Sequence, residues 1–167
     1  MKTLEMALEK DIYICKQIID DGKAFQKEQG FTQWTESYPN IDTIRDDIKN
    51  KKGYVIKSEN EIAGYICIDF SGEPAYADIQ GEWHTKEPYA VIHRMAFGKE
   101  FRGRGLAKTA IDLIEKLCFS QNIYSIRVDT DFVNKQMQHV LEKNGFVKCG
   151  TIIFQGSPKL AYDKILS

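Results

Sequence analysis

From Glu9 to Gln29 the apolar positions Ile12, Cys15, Ile18 and Ile19, then Ala24 and Phe25, recur at the spacing of a helix lying on a core. Gly30 suits its end. Residues 3–7 read as a short first strand, and a second helix is predicted near Ile41–Asn50, where Ile41, Ile44 and Ile48 share a face. Tyr54–Lys57 and Ile62–Phe70 are rich in β-branched and aromatic residues, with Ser58–Glu61 between them, and predict a hairpin. "YAVIHRMAF" (89–97) and "YSIRVDT" (124–130) read as strands. Between them Leu106, Ala110, Leu113, Ile114 and Leu117 form a helical stripe. Asn134–Asn144 reads as a helix turning Met137, Val140 and Leu141 inward, with Gly145 as its stop. "VKCGTIIF" and "LAYDKIL" close the chain as an antiparallel pair. This order predicts an α/β protein built on one mixed central β-sheet flanked by helices. No repeat, low-complexity tract or linker interrupts it, so residues 1–167 are expected to form a single domain.

Charge narrows the choice of partner. With 23 Lys+Arg against 24 Asp+Glu the net charge is -1, which excludes broad electrostatic capture of nucleic acid and leaves room for a local basic patch. The amino terminus has no continuous apolar run and does not read as a signal peptide. No segment approaches the roughly 18 apolar residues of a membrane span. A cytoplasmic protein with no membrane partner is the expectation. Cys15, Cys67, Cys118 and Cys149 are scattered, without CxxC or Cys/His pairing. They are expected to be free thiols, with no metal.

One stretch stands out. "FRGRGLAKTAIDLIEKLC" (101–118) places Arg102, Gly103, Arg104, Gly105 and Lys108 where a helix must begin. Cations are poor choices there, because the helix dipole already makes that end positive. A strand, a glycine turn and a helix N-terminus together form an anion trap: the first amides lack internal partners and glycine lets a ligand approach them. A diphosphate suits this arrangement better than one carboxylate. A P-loop is excluded because Ala107 precedes Lys108 and no glycine stands where the motif begins. The dinucleotide GxGxxG fails because Lys108 stands at its third glycine.

Arg102-x-x-Gly105-x-Ala107 resembles the acyl-CoA pyrophosphate signature [QR]xxGx[GA] of the GNAT superfamily of N-acetyltransferases. "VIHRMAFGKEFRGRGLAKTAIDLIEKLC" is similar to that family's central strand, loop and helix. "IRVDTDFVNKQMQHVLEKNGFVKCG" is similar to its next strand and helix, closing on Gly145-Phe146. The resemblance covers roughly residues 89–150 and implies a GNAT-like fold with acetyl-CoA as co-substrate. It further implies transfer of an acetyl group to a primary amine of a small molecule or protein, by direct attack in a ternary complex. Backbone groups of Met95 and Phe97 would pair with the pantetheine arm. Amides of Gly103, Arg104, Gly105, Leu106, Ala107 and Lys108 would hold the pyrophosphate, with Arg102, Arg104 and Lys108 adding charge. Asn134 matches the family asparagine that contacts the cofactor; the residues themselves equally allow a plain helix cap. Dimers are common in the family, so a homodimer is allowed.

Amine attack on a thioester needs a neutral amine, oxyanion stabilisation and a proton for the thiolate. His93 shares a strand face with Met95 and Phe97 and is the candidate base, or else a structural histidine beneath the pocket. The Met95 and Phe97 amides are candidate oxyanion donors. Glu82, His84 and Glu87 are alternative bases or merely solvated loop residues. Trp34, Trp83 and Tyr89 belong to loops that border the acceptor in the family, and are either substrate-binding residues or packing anchors. The family often has a tyrosine seven residues after the asparagine, to protonate the thiolate. Here it is Leu141, which keeps open an alternative: a catalytically weak CoA-binding regulatory module.

Overall fold

The computed structural model describes residues 1–167. Its helices are α1 (Ile12–Glu28), α2 (Ile41–Lys49), α3 (Leu106–Ser120) and α4 (Lys135–Lys143). Its strands are β1 (Lys2–Met6), β2 (Gly53–Ser58), β3 (Glu61–Asp69), β4 (Gln80–Gly81), β5 (Ala90–Phe97), β6 (Ser125–Thr130), β7 (Val147–Phe154) and β8 (Ser157–Ile165). They follow the order β1-β2-β3-β5-β6-β8-β7-β4 in one mixed sheet. β5 and β6 are parallel, whereas the β1–β2, β2–β3, β6–β8, β7–β8 and β4–β7 pairs are antiparallel. The mixed sheet with flanking helices is the fold that the periodicity predicts. β4 is the element the sequence conceals, because two residues carry no periodicity.

The backbone divides into two compact units, residues 1–68 with 94–113, and residues 69–93 with 114–167. In the first, the inner face of α1 (Ile12, Cys15, Ile18, Ile19) packs with Ile44 of α2, Val55, Tyr65 and Ala96. The helical stripe ends earlier than its spacing predicts. Ala24 is exposed and Phe25 half-buried, while Gln26 turns inward. Its Oε1 accepts hydrogen bonds from the amides of Gln33 and Trp34, at 3.1 and 2.8 Å, and so shapes the loop after α1. Asn40 begins α2 by accepting the Thr43 amide at 3.0 Å. The two-residue turn between β2 and β3 has Glu59 and Asn60 at φ 51° and 70°, the left-handed pair that suits the twist of a tight hairpin.

The second unit holds the start of β5, β6, β8, β7, β4 and α4. Its sheet packs Val91, Ile152 and Ala161 against Tyr76, with Ala75, Ile79, Trp83, Tyr89 and Phe154 around them. β7 pairs with β8 along its length, but the register slips between Lys148, opposite Tyr162, and Gly150, opposite Ala161. Cys149 is the extra residue of that bulge. Bulges re-aim a side chain without breaking a sheet.

Candidate active site

In the first unit, β5 ends at Phe97 and a short turn buries Phe101 before α3 opens on the buried Leu106. Those two apolar anchors hold both ends of an exposed loop. Gly103 and Gly105 between them lie at φ 75° and 71°, and a Cβ on either would meet nothing within 4 Å. Glycine is therefore required by backbone conformation, not crowding, and the space above the turn is open. The Thr109 amide bonds Gly105 O at 3.3 Å. Leu106 and Ala107 come before that bond, at the end of the helix where the dipole is positive.

The three cations of this turn have separate fates. Arg102 donates from Nη2 to Asp21 O at 2.5 Å and lies 4.4 Å over the Phe25 ring, tying the turn to α1. The Asp21 carboxylate also accepts the Lys99 amide at 3.2 Å, so one residue of α1 braces both sides of the loop. Arg104 is exposed, 5.5 Å from the Phe101 ring centroid. Lys108 is exposed and paired with Asp112 at 2.9 Å. Asp21 is a positioning residue that the sequence does not advertise.

Met95 and Phe97 are half-buried on β5. Phe97 fits because β3 has Gly64 beside it: a Cβ there would come within 2.7 Å of Phe97 Cδ1 and 3.0 Å of Ala96 O. Trp34 lies on α1, where a Cβ at Gly22 would come 2.9 Å from its ring. It also lines a groove of about 270 Å³ with Asp20, Lys23, Ala24, Lys27, Thr35 and Glu36.

In the second unit His93 is half-buried, with Nε2 3.8 Å from the Asp69 carboxylate and its ring tilted against Phe154. It stands two residues after Val91 and so shares the sheet face on which Tyr76 packs. Tyr76 donates to Asp129 at 2.7 Å. Burial pushes the Asp129 carboxyl up to about 6, although Tyr76 and Lys159 pull it down. This pair, 53 residues apart, has no local sequence signal. Asn134 caps α4 by accepting the Met137 amide at 3.1 Å, and Leu141 is buried. Glu82 and Glu87 are exposed, as solvated loop residues are.

Trp83 and Tyr89 are brought together, but inward. The Arg127 guanidinium lies 4.3 Å over the Trp83 ring and 3.8 Å over that of Tyr89. Trp83 Nε1 donates to Tyr76 O at 2.9 Å, and Arg127 Nη2 donates to Thr85 O at 2.8 Å. Both aromatics serve as packing anchors around a buried cation. Close by, His84 Nδ1 lies 2.7 Å from Asp163 Oδ1 and 3.4 Å from Cys149 Sγ. The cysteines that look isolated in sequence thus include one with a histidine and a carboxylate beside it. Burial, and then its hydrogen bond to Asp163, push the Cys149 thiol up to about 12.

No helix is long and apolar enough to cross a membrane. No curated protein matches the chain. Among solved structures, a GNAT acetyltransferase from Streptococcus agalactiae is 32% identical over 99% of this chain and 96% of its own, with a TM-score of 0.89. A GNAT acetyltransferase from Listeria monocytogenes is 23% identical over 99% and 95%, with a TM-score of 0.76. AAC(6')-Ib, solved in complex with ribostamycin and coenzyme A, shares the fold at 17% identity over 98% and 93%, with a TM-score of 0.71. The model of the acetyltransferase (GNAT) family matches residues 20–146, which include the strand, turn and helix from Ala90 to Ser120, and the chain belongs to that family.

Proposed function

We propose that the protein moves the acetyl group of acetyl-CoA onto a primary amine of a small molecule or of a protein, by direct attack in a ternary complex. The observation that carries this reading is the turn at Gly103–Lys108: two left-handed glycines, open space above them, and a helix N-terminus behind. Such a turn offers several amides to a diphosphate at once, with Arg104 and Lys108 exposed to add charge. The complex of AAC(6')-Ib with coenzyme A and ribostamycin supports both the cofactor and the amine class.

Bound acetyl-CoA supplies an activated thioester; the remaining roles fall to this chain. The backbone groups of Met95 and Phe97 hold the pantetheine arm and steady the developing oxyanion. Asn134 contributes from the start of α4. His93 accepts the proton of the attacking amine, with the Asp69 carboxylate 3.8 Å away to favour the imidazolium that results. Trp34 is the tryptophan left for acceptor binding, because it borders an open groove in which Asp20 and Glu36 pair with Lys16 and Lys27 and an incoming amine would compete with those lysines. Trp83 and Tyr89 are committed to Arg127.

Incubation with acetyl-CoA and a panel of diamines, aminoglycosides, amino acids and peptide amines, with released thiol monitored, tests the transfer. Amine-dependent thiol release is expected. Replacing His93 with Ala should flatten the alkaline-rising limb of the rate–pH profile, and a wild-type profile would remove His93 as the base. Leu141, wholly buried and without a proton to give, favours a second reading as a CoA-binding regulatory module. Tight CoA binding with no thiol release across the panel would select it.

A further inference from the structure

We propose that His84, Cys149 and Asp163 form a binding site for a thiophilic divalent cation of the Zn²⁺ class. The site is separate from the acetyl-transfer reading and does not depend on it. The loop after β4 meets the hairpin of β7 and β8 here, at the bulge of β7 and the middle of β8. One ligand atom from each residue lies within 4.8 Å of the other two.

The fold builds this convergence with specific devices. Cys149 is the extra residue of the β7 bulge, and β4 closes onto β7 through Gly81 opposite Gly150. Those glycines lie at φ 134° and 149°, conformations that side chains disfavour, and a Cβ on either would collide with the facing backbone. The Glu82 amide then bonds Cys149 O at 3.1 Å, which carries His84 over the thiol. Asp163 is 1% exposed, and its Oδ2 accepts the His84 amide at 2.7 Å. That bond fixes the carboxylate so that Oδ1 faces the imidazole Nδ1. A hydrogen bond from the backbone to a ligating carboxylate is the outer support that metal sites use.

Two of the three separations come close to those around a small tetrahedral ion, and the third, from Sγ to the Asp163 carboxylate, lies within 4.8 Å. Zinc bonds of about 2.0–2.3 Å place ligand atoms roughly 3.3–3.6 Å apart. The Sγ–Nδ1 separation of 3.4 Å already matches, and the Nδ1–Oδ1 contact of 2.7 Å needs to open by about half an ångström. Three protein ligands leave a fourth position, and the His84 side chain, 47% exposed, puts it within reach of water.

Charge favours a site with two anionic ligands, and the donor set decides the class of ion. Arg127 sits opposite Asp163 in the β6–β8 register, and its charge acts on both Asp163 and Cys149. A hard dication held by one carboxylate would be repelled by it. A thiolate and a carboxylate together cancel the charge of any dication, and it is the soft thiolate with the imidazole that selects ions with affinity for sulfur over Mg²⁺ and Ca²⁺.

The test is titration of the phosphine-reduced full chain with Co²⁺, followed by competition with Zn²⁺. One equivalent should produce a thiolate-to-cobalt charge-transfer band, which Zn²⁺ should bleach and Ca²⁺ should not. Cys149→Ser should abolish the band with an unchanged far-ultraviolet circular dichroism spectrum. His84→Ala should weaken Co²⁺ binding at least about tenfold. No band in the wild type, or a band that survives Cys149→Ser, would overturn the site.

Discussion

Each compact unit buries an arginine and a carboxylate, and the two settle them differently. In the first, Arg94 makes two hydrogen bonds to Asp47, at 2.6 and 3.2 Å, and a third to Tyr38 at 3.1 Å. Tyr65 donates to the same carboxylate at 2.7 Å, and burial, followed by Asp47, holds its phenol far above the usual range so that it stays a donor. In the second, Arg127 rests on two aromatic rings with Nε buried and unbonded, and the Asp129 carboxylate has a neutral phenol for its hydrogen bond. The first network is closed and matched in charge; it fixes α2 against the strands. The second leaves a carboxyl near 6, where a small change in surroundings alters its protonation. Incomplete compensation is what acid–base chemistry requires and structural pairing avoids.

Breaking the closed network should have the largest effect. Arg94→Met keeps the stem and removes the charge, which leaves Asp47, 7% exposed, as an uncompensated buried carboxylate. A loss of about 3–5 kcal/mol in unfolding free energy is expected by denaturant titration. Adding Asp47→Leu to Arg94→Met should recover much of it, since both charges then leave together. A loss below about 1 kcal/mol for the single variant would show that the network carries little stability.

The open network should respond in the opposite direction. Folding raises Asp129 from 3.8 to about 6, so it favours the neutral acid. The stability this contributes is whole below pH 4 and is lost as pH climbs through 6. Asp129→Asn has no such ionisation. It should therefore gain about 2–3 kcal/mol on the wild type between pH 4 and pH 7, read as diverging thermal midpoints. Parallel curves would mean that Asp129 titrates normally.

The exposed turn of the first unit should affect binding before it affects stability. Gly105→Val puts a branched side chain at φ 71°, where backbone strain is about 1–2 kcal/mol, and fills the open approach to the amides. The KM for acetyl-CoA should rise at least about tenfold, worth roughly 1.4 kcal/mol of binding. An unchanged KM would contradict the role given to this loop.

What could be foreseen from the sequence follows the same line between local and distant. The helices, the hairpins and the closing strand pair were legible because each is a repeat of apolar positions within about ten residues. The turn at 102–108 was legible because its glycines and amides are contiguous. Asp129 with Tyr76, and His84 with Cys149, lie 53 and 65 residues apart, and a β-bulge and a two-residue strand bring the latter pair together. Ala24 departs from the predicted stripe because Gln26, a polar residue, takes the inward position to hold the next loop.

The two tryptophans offer the finest form of the comparison. Trp83 is fixed by a hydrogen bond and a guanidinium, whereas Trp34 is fixed by the missing side chain of Gly22. Gly22→Ala sets two effects against each other. In mid-helix it should stabilise by about 1 kcal/mol. Against that, its Cβ would sit 2.9 Å from the Trp34 ring and 3.3 Å from Ala96 Cβ, an overpacking that costs about 1–3 kcal/mol. Trp34 borders an open groove and has somewhere to go, while Ala96 is 5% exposed and has not. The expected result is a net loss of about 1 kcal/mol, with Trp34 fluorescence shifted towards that of a more solvated indole in a Trp83→Phe background. A gain in stability with unchanged fluorescence would mean that Trp34 is not seated on α1, and the groove it borders would lose its wall.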